Sequence, residues 1–152
     1  MNNAFVNNKI KSFRKDLTAY LSCYHPDYLK LYDSSATGWD DFLEGRARAA
    51  AIEEIRKTEE GVPPPLAEKY ALDILLQGFR FSLHVVVKEI LETDYPNIAA
   101  EISPAMVATL ESSCRLITDK FALGDDYLTD PIYEYFIGEI KQHIHNFLIE
   151  NI

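Results

Sequence analysis

The side chains able to do chemistry in this chain are few, and their spacing serves it poorly. The four histidines are His25, His84, His143 and His145. Two metal ligands on one helical face stand three or four residues apart, whereas His143 and His145 are two apart and diverge by roughly 200°. Glu139 and His143 do stand at i and i+4, as half of a carboxylate–histidine di-iron site would, but no second Glu-x-x-His exists. A surface pair is the reading this spacing supports. Cys23 and His25 are too isolated to make half of a zinc site, so no metal is expected.

Nucleophilic catalysis fares no better. The motifs G-x-S-x-G and H-E-x-x-H are absent, as are glycine-rich phosphate loops. Ser112, Ser113 and Cys114 fall in mid-helix, where hydroxyls face solvent or bond back to the helix, and Cys114 lies on the apolar seam as a core thiol. Asp125, Asp126 and Asp130 resemble the start of a calcium loop only in being acidic, because the glycine and glutamate that complete one are missing. Neither a catalytic residue nor a cofactor is expected. What remains is Phe79, Arg80, Phe81 and His84 at the sharpest break between helices. Either the two rings plug the core while Arg80 pairs with an acid, or the four form an interaction hot spot, which often joins aromatics to arginine.

The elements that position these residues read as helices throughout. Ile10, Phe13, Leu17, Leu21 and Tyr24 recur on one face and predict a helix over Asn8–Tyr24, ended by His25-Pro26. Pro26–Tyr32 reads as a short second helix and Asp33–Gly38 as a loop. A third helix opens near Trp39 with Asp40, Asp41 and Glu44 at its positive end, turns Phe42, Leu43, Ala50, Ile52 and Ile55 inward, and stops at Gly61 and Pro63-Pro64-Pro65. Its small residues, Ala47 and Ala49 to Ala51, allow another helix to approach closely. Pro65 starts a fourth helix carrying Tyr70, Ile74 and Leu75, with Gly78 at the left-handed position beyond it and Ser82 as N-cap of the next. Val85-Val86-Val87 reads as a buried helical turn because of its flanks. Ser103-Pro104 and Asp130-Pro131 open the last two helices, with Gly124 beyond the first of them and Phe136, Ile137, Ile140, Ile144, Phe147 and Leu148 on the second. No segment alternates with period two. The expectation is all-α: a single multihelical bundle of six to seven helices without a sheet, one domain over 1–152.

At 152 residues and 47% hydrophobic composition, the chain can bury a core without staples. Two cysteines far apart read as reduced thiols, the N-terminus lacks a continuous apolar stretch, and no run is long enough for a membrane span; a cytoplasmic location follows as the expectation. Net charge is −9, divided as nine Lys/Arg against eight Asp/Glu over residues 1–57 and six against sixteen thereafter. That acidity repels a phosphate backbone. A local basic group at Lys9, Lys11, Arg14 and Lys15 is the only candidate for direct nucleic-acid contact, and a solvated helix face accounts for it as well.

Several blocks taken together resemble a known pattern: His25-Pro26-Asp27-Tyr28, Asp41-Phe42-Leu43 with Arg46-Ala47 and Ala50, Leu76 through Gly78-Phe79-Arg80-Phe81-Ser82, and Asp125-Asp126-Tyr127 through Pro131, Tyr133-Glu134 and Glu150-Asn151. In this order, from about Leu17 onward, they are similar to a domain-of-unknown-function family of small helical proteins common in Bacteroidetes genomes and conjugative transposons. The resemblance implies a helical domain, a bacterial cytoplasm and a neighbourhood of mobile-element genes. It brings no catalytic or ligand residue. Val85 departs from the pattern, which places Asp there. The function expected is a non-enzymatic interaction or regulatory module with an unknown protein partner, homodimerisation through an apolar helix face being a corollary. The alternatives are a nucleic-acid-associated protein, through the basic helix or by acidic mimicry of DNA, and an enzyme whose site is assembled from distant residues.

Overall fold

Prolines at helix starts and left-handed residues past helix ends set the order of elements. The computed structural model describes residues 3–28 and 36–151. Helix α1 (Asn3–Tyr24) starts five residues earlier than the periodicity indicates and buries Ile10, Phe13, Leu17 and Leu21; Tyr24, the last residue of that series, is exposed. Residues 26–28 are helical, while the rest of the short second helix and residues 33–35 of the following loop lie outside the described residues. Helix α2 (Ala36–Glu59) opens inside that expected loop. Its acids Asp40, Asp41 and Glu44 therefore lie past the first turn, away from the free amides that would have drawn them.

Alanines make the inner face of α2. Leu43, Ala47, Ala50 and Ala51 are buried, whereas Ile52, one helical step beyond, is 55% exposed and not inward as its apolarity suggests. The helix ends in a Schellman motif: Gly61 has φ +87°, its N–H donates to Thr58 O at 3.0 Å, and Val62 N–H donates to Lys57 O at 3.0 Å. Helix α3 (Pro64–Leu75) packs on α2, its Ala71 and Leu75 sharing one cluster with the three alanines. Small residues on both sides let the two backbones approach. Tyr70 lies off that face, its ring 4.6 Å from the Lys57 ammonium. Gly78, at φ +85°, takes the left-handed position expected of it.

Ser82 then caps α4 (Leu83–Asp94) by accepting from Val85 N–H at 3.2 Å, so Val85–Val87 are helical. A six-residue helix absent from the sequence reading, α5 (Pro96–Glu101), follows on Pro96. Ser103 caps α6 (Pro104–Phe121) through Met106 N–H at 3.1 Å. A 3₁₀ turn (Tyr127–Thr129) leads to α7 (Tyr133–Asn151), before which Asp130 Oδ1 accepts from Ile132 N–H at 3.0 Å. The apolar faces of α4, α6 and α7 meet in a core that contains Val87, Leu110, Cys114, Phe136, Ile140 and Ile144, each of the larger of these contributing on the order of 2 kcal/mol by its burial. Among the described residues all regular structure is helical, with no strand.

The chain that reads as one body in sequence divides into two compact units, Met1–Arg80 and Phe81–Ile152, each with its own apolar cluster. Charge follows the division. The first unit has eleven Lys/Arg against twelve Asp/Glu, a net −1, and the second four against twelve, a net −8.

One position breaks the punctuation. The left-handed residue ending α6 is Ala122, at φ +48°, not Gly124. A Cβ in that conformation costs about 1 kcal/mol. Ala122→Gly is expected to raise the free energy of unfolding by about 1 kcal/mol in urea titration; no gain would show that the Ala122 methyl makes contacts worth its strain.

Candidate functional site

The break at Phe79–His84 divides its residues between the two units. In the first, Phe79 is the hub. Its carbonyl accepts from Tyr20 Oη at 3.1 Å and from His25 Nε2 at 2.7 Å. A carbonyl can only accept, so His25 carries its hydrogen on Nε2. The Phe79 ring meets His25, Tyr28 and Phe42 edge-on with centroids 5.7 to 6.0 Å apart, and His25 stacks on Tyr28 at 4.9 Å. Edge-to-face contacts of this kind add about 1 kcal/mol each beyond burial.

Arg46 closes this cluster, although no catalytic motif in the sequence marks it. Its Nη1 donates to Gln77 O at 2.7 Å and Ile74 O at 3.1 Å and lies 3.4 Å from Leu75 O, at the carbonyl end of α3. Its guanidinium stands 5.0 Å from the Phe42 ring centroid and 5.5 Å from that of Phe79. A cation there satisfies orphan carbonyls and the negative end of the helix dipole together. The signal was its place one turn after Phe42 on α2. Arg80 pairs with Asp73 at 2.8 Å, as the structural reading of the break expects.

In the second unit Phe81 turns onto the core, edge-on to Tyr127 and Phe136, each at 5.4 Å. His84 Nδ1 donates to Glu111 at 2.6 Å. The rings of Phe79 and Phe81 are thus each packed within the aromatic cluster of their own unit. Ser113 and His143, 2.8 Å apart, look like a nucleophile and its base, but the Ser113 hydroxyl donates to Leu110 O at 2.6 Å. With that proton on its own helix, His143 Nε2 is the donor of the pair in this arrangement. Glu139 binds Lys120 at 3.1 Å, apart from His143. Cys114 is sealed in the core, and burial pushes its thiol up to about 11.

The basic group of α1 is half neutralised. Lys9 pairs with Glu54, and Arg14 with Asp40 at 2.5 Å and Glu44 at 3.3 Å, which leaves Lys11 and Lys15 exposed. Asp40 holds the Arg14 proton more tightly than usual through that hydrogen bond. Among the described residues no cluster of His, Cys, Asp and Glu could hold a metal, and no helix is long and apolar enough to cross a membrane. A shallow apolar groove of about 450 Å3 is lined by Phe121, Pro131, Ile132, Tyr135 and Glu139. Nothing in sequence marks it, because Tyr135 reads as one more aromatic of an aromatic-rich helix.

Two helical units, each stitched by an aromatic cluster, define an all-α protein. The chain belongs to DUF1896, a domain of unknown function, whose family model matches residues 6–151. The crystal structure of protein PG0816 from Porphyromonas gingivalis is similar, with a TM-score of 0.78 and 22% identity over 98% of this chain and 97% of that one. At that identity the likeness concerns the fold. No curated protein matches the chain. The family resemblance read from the sequence blocks is borne out, and His25, Tyr28, Phe42 and Arg46, which carry much of it, meet around the Phe79 ring.

Arg46→Ala is expected to lower stability by about 2–3 kcal/mol, and Arg46→Lys to recover only part of it, because an ammonium lacks the planar fork; thermal unfolding measures both. With Ellman's reagent at neutral pH, exposed Cys23 should react at once and Cys114 only after denaturation. The unfolded thiol ionises near 9.0 and the folded one near 11, so the folded state keeps its proton longer. This stabilisation is full below pH 9 and lost as pH rises towards 11, by at most about 3 kcal/mol, with Cys114→Ala removing that slope.

Proposed function

We propose that this protein is a non-enzymatic interaction module whose second unit presents the binding surface. The observation that carries this is the exposure of large apolar side chains in the groove, Tyr135 74% and Ile132 42% exposed, with Leu128 73% exposed in the same eight residues of chain. Leaving such side chains in water forgoes about 2 kcal/mol for each, and apolar surface of this kind marks contact sites. The non-enzymatic part of the reading is supported by the hydroxyl of Ser113, the thiol of Cys114 and the imidazoles of His84 and His143, all engaged in holding helices together.

Partner identity is narrowed by charge. Two copies of a unit with net −8 repel each other, so a different protein fits this surface better than a second copy does. The basic group on α1 supports direct nucleic-acid binding weakly, since two of its four cations are paired.

Affinity capture from a lysate of the source bacterium, with and without nuclease, tests the proposal. Wild type should retain a protein partner after nuclease treatment, and the double variant Ile132→Ser/Tyr135→Ser should lose it. Light scattering should give a monomer. Capture that vanishes with nuclease, or that the double variant keeps in full, would falsify the reading.

A further inference from the structure

We propose that the groove lined by Phe121, Pro131, Ile132 and Tyr135 docks a cationic amphipathic segment of a partner protein, an inference that rests on the interaction-module reading and names the chemistry of the occupant. The first argument is what the groove already holds. Lys120 places its ammonium 3.1 and 3.2 Å from the two Glu139 oxygens and 5.5 Å from the Phe121 ring centroid. One lysine is thus bound at the edge of the groove, with its charge on a carboxylate and its position over an aromatic ring. Tyr135, one turn before Glu139 on α7, offers an incoming Lys or Arg a second aromatic face in the same acidic surroundings.

Charge complementarity is the second argument. Lys120 is one of only four cations in a unit with twelve acids, and Glu139 engages it. The chain segments that form the groove carry Asp126, Asp130 and Glu134 beside the exposed apolar residues, with the Asp130 carboxylate on the Ile132 N–H. A partner with acidic side chains meets a repulsive field there, and a neutral one gains nothing from it. A segment with apolar side chains on one face and Lys or Arg on the other gains on both counts: apolar groups cover Ile132 and Tyr135, and cations stand in the field of the acids.

The test uses the full chain and a labelled amphipathic peptide built of Lys and Leu, with its Glu/Leu counterpart as control, read by fluorescence anisotropy. Binding of the Lys/Leu peptide should be saturable and weaken as salt is raised. Ile132→Ser/Tyr135→Ser should weaken it about tenfold, equivalent to about 1.4 kcal/mol, whereas Ile149→Ser, another exposed apolar position, should leave it unchanged. On the wild-type chain, amide shifts induced by the peptide should cluster between residues 128 and 139, a readout that needs no variant to fold. The proposal is overturned if the Glu/Leu peptide binds as tightly, if the groove variant binds as well as wild type, or if the shifted amides lie elsewhere. It is also overturned if wild type is a dimer that Tyr135→Ser dissociates, for then a second copy covers the groove. A protein partner captured by wild type and lost in the groove variant, with no binding of the cationic peptide, would sink the cationic chemistry and leave the interaction module standing.

Discussion

The carbonyl end of α3 is the constraint on which the first unit depends. A helix that stops at a glycine leaves its last carbonyls short of intrahelical donors, and here side chains from other segments supply them. Arg46 reaches across from α2 to take the Ile74 and Gln77 carbonyls, while Tyr20 and His25 from the end of α1 and just beyond it take that of Phe79. One set of backbone acceptors thereby ties three segments that are far apart in sequence. The rings of Tyr28, Phe42 and Phe79 then fill the space around the ties. Loss of Arg46 takes a donor from the Ile74 and Gln77 carbonyls at once, whereas the Phe79 carbonyl keeps one donor if either Tyr20 or His25 is lost.

The second unit is held by a different balance. Its core is mostly aliphatic, from α4, α6 and α7, with polar side chains pinned at the flanks: His84 to Glu111 and His143 to Ser113. These pairs use groups that could have done chemistry to fix helix against helix. The net −8 of this unit opposes its compaction through self-repulsion, and the apolar core outweighs that opposition. The same charge leaves the exposed apolar groove of α7 in an acidic field.

Much of the fold was legible along the chain because its signals are local. Ser82 and Ser103 were readable as caps because each stands three residues before an amide that its hydroxyl reaches in the first turn of a helix. Gly61 and Gly78 were readable because no other residue takes a positive φ at low cost. The readings that failed each ran into a competing interaction. Asp40 reads as a dipole acid, but it pairs with Arg14 once α2 begins at Ala36. Ile52 reads as core, but a run of alanines beside it takes the inner face because α3 needs the close approach more than α2 needs the isoleucine. Gly124 reads as the cap of α6, but the chain turns two residues earlier.

The candidate site was legible in kind and not in role. Sequence by itself determined that the chain is helical, where most helices begin and end, that no catalytic motif is spelled out, and that the break at Phe79–His84 gathers aromatic and charged groups. These properties depend on residues within a few positions of one another. Only the tertiary structure decided that Phe79 and Phe81 serve separate cores, that Arg46 caps a helix about thirty residues away, and that Tyr135 stands 74% exposed while the rings at the break are partly buried. Those outcomes depend on which helix faces come together in space, and the spacing of residues along one helix does not specify its neighbour.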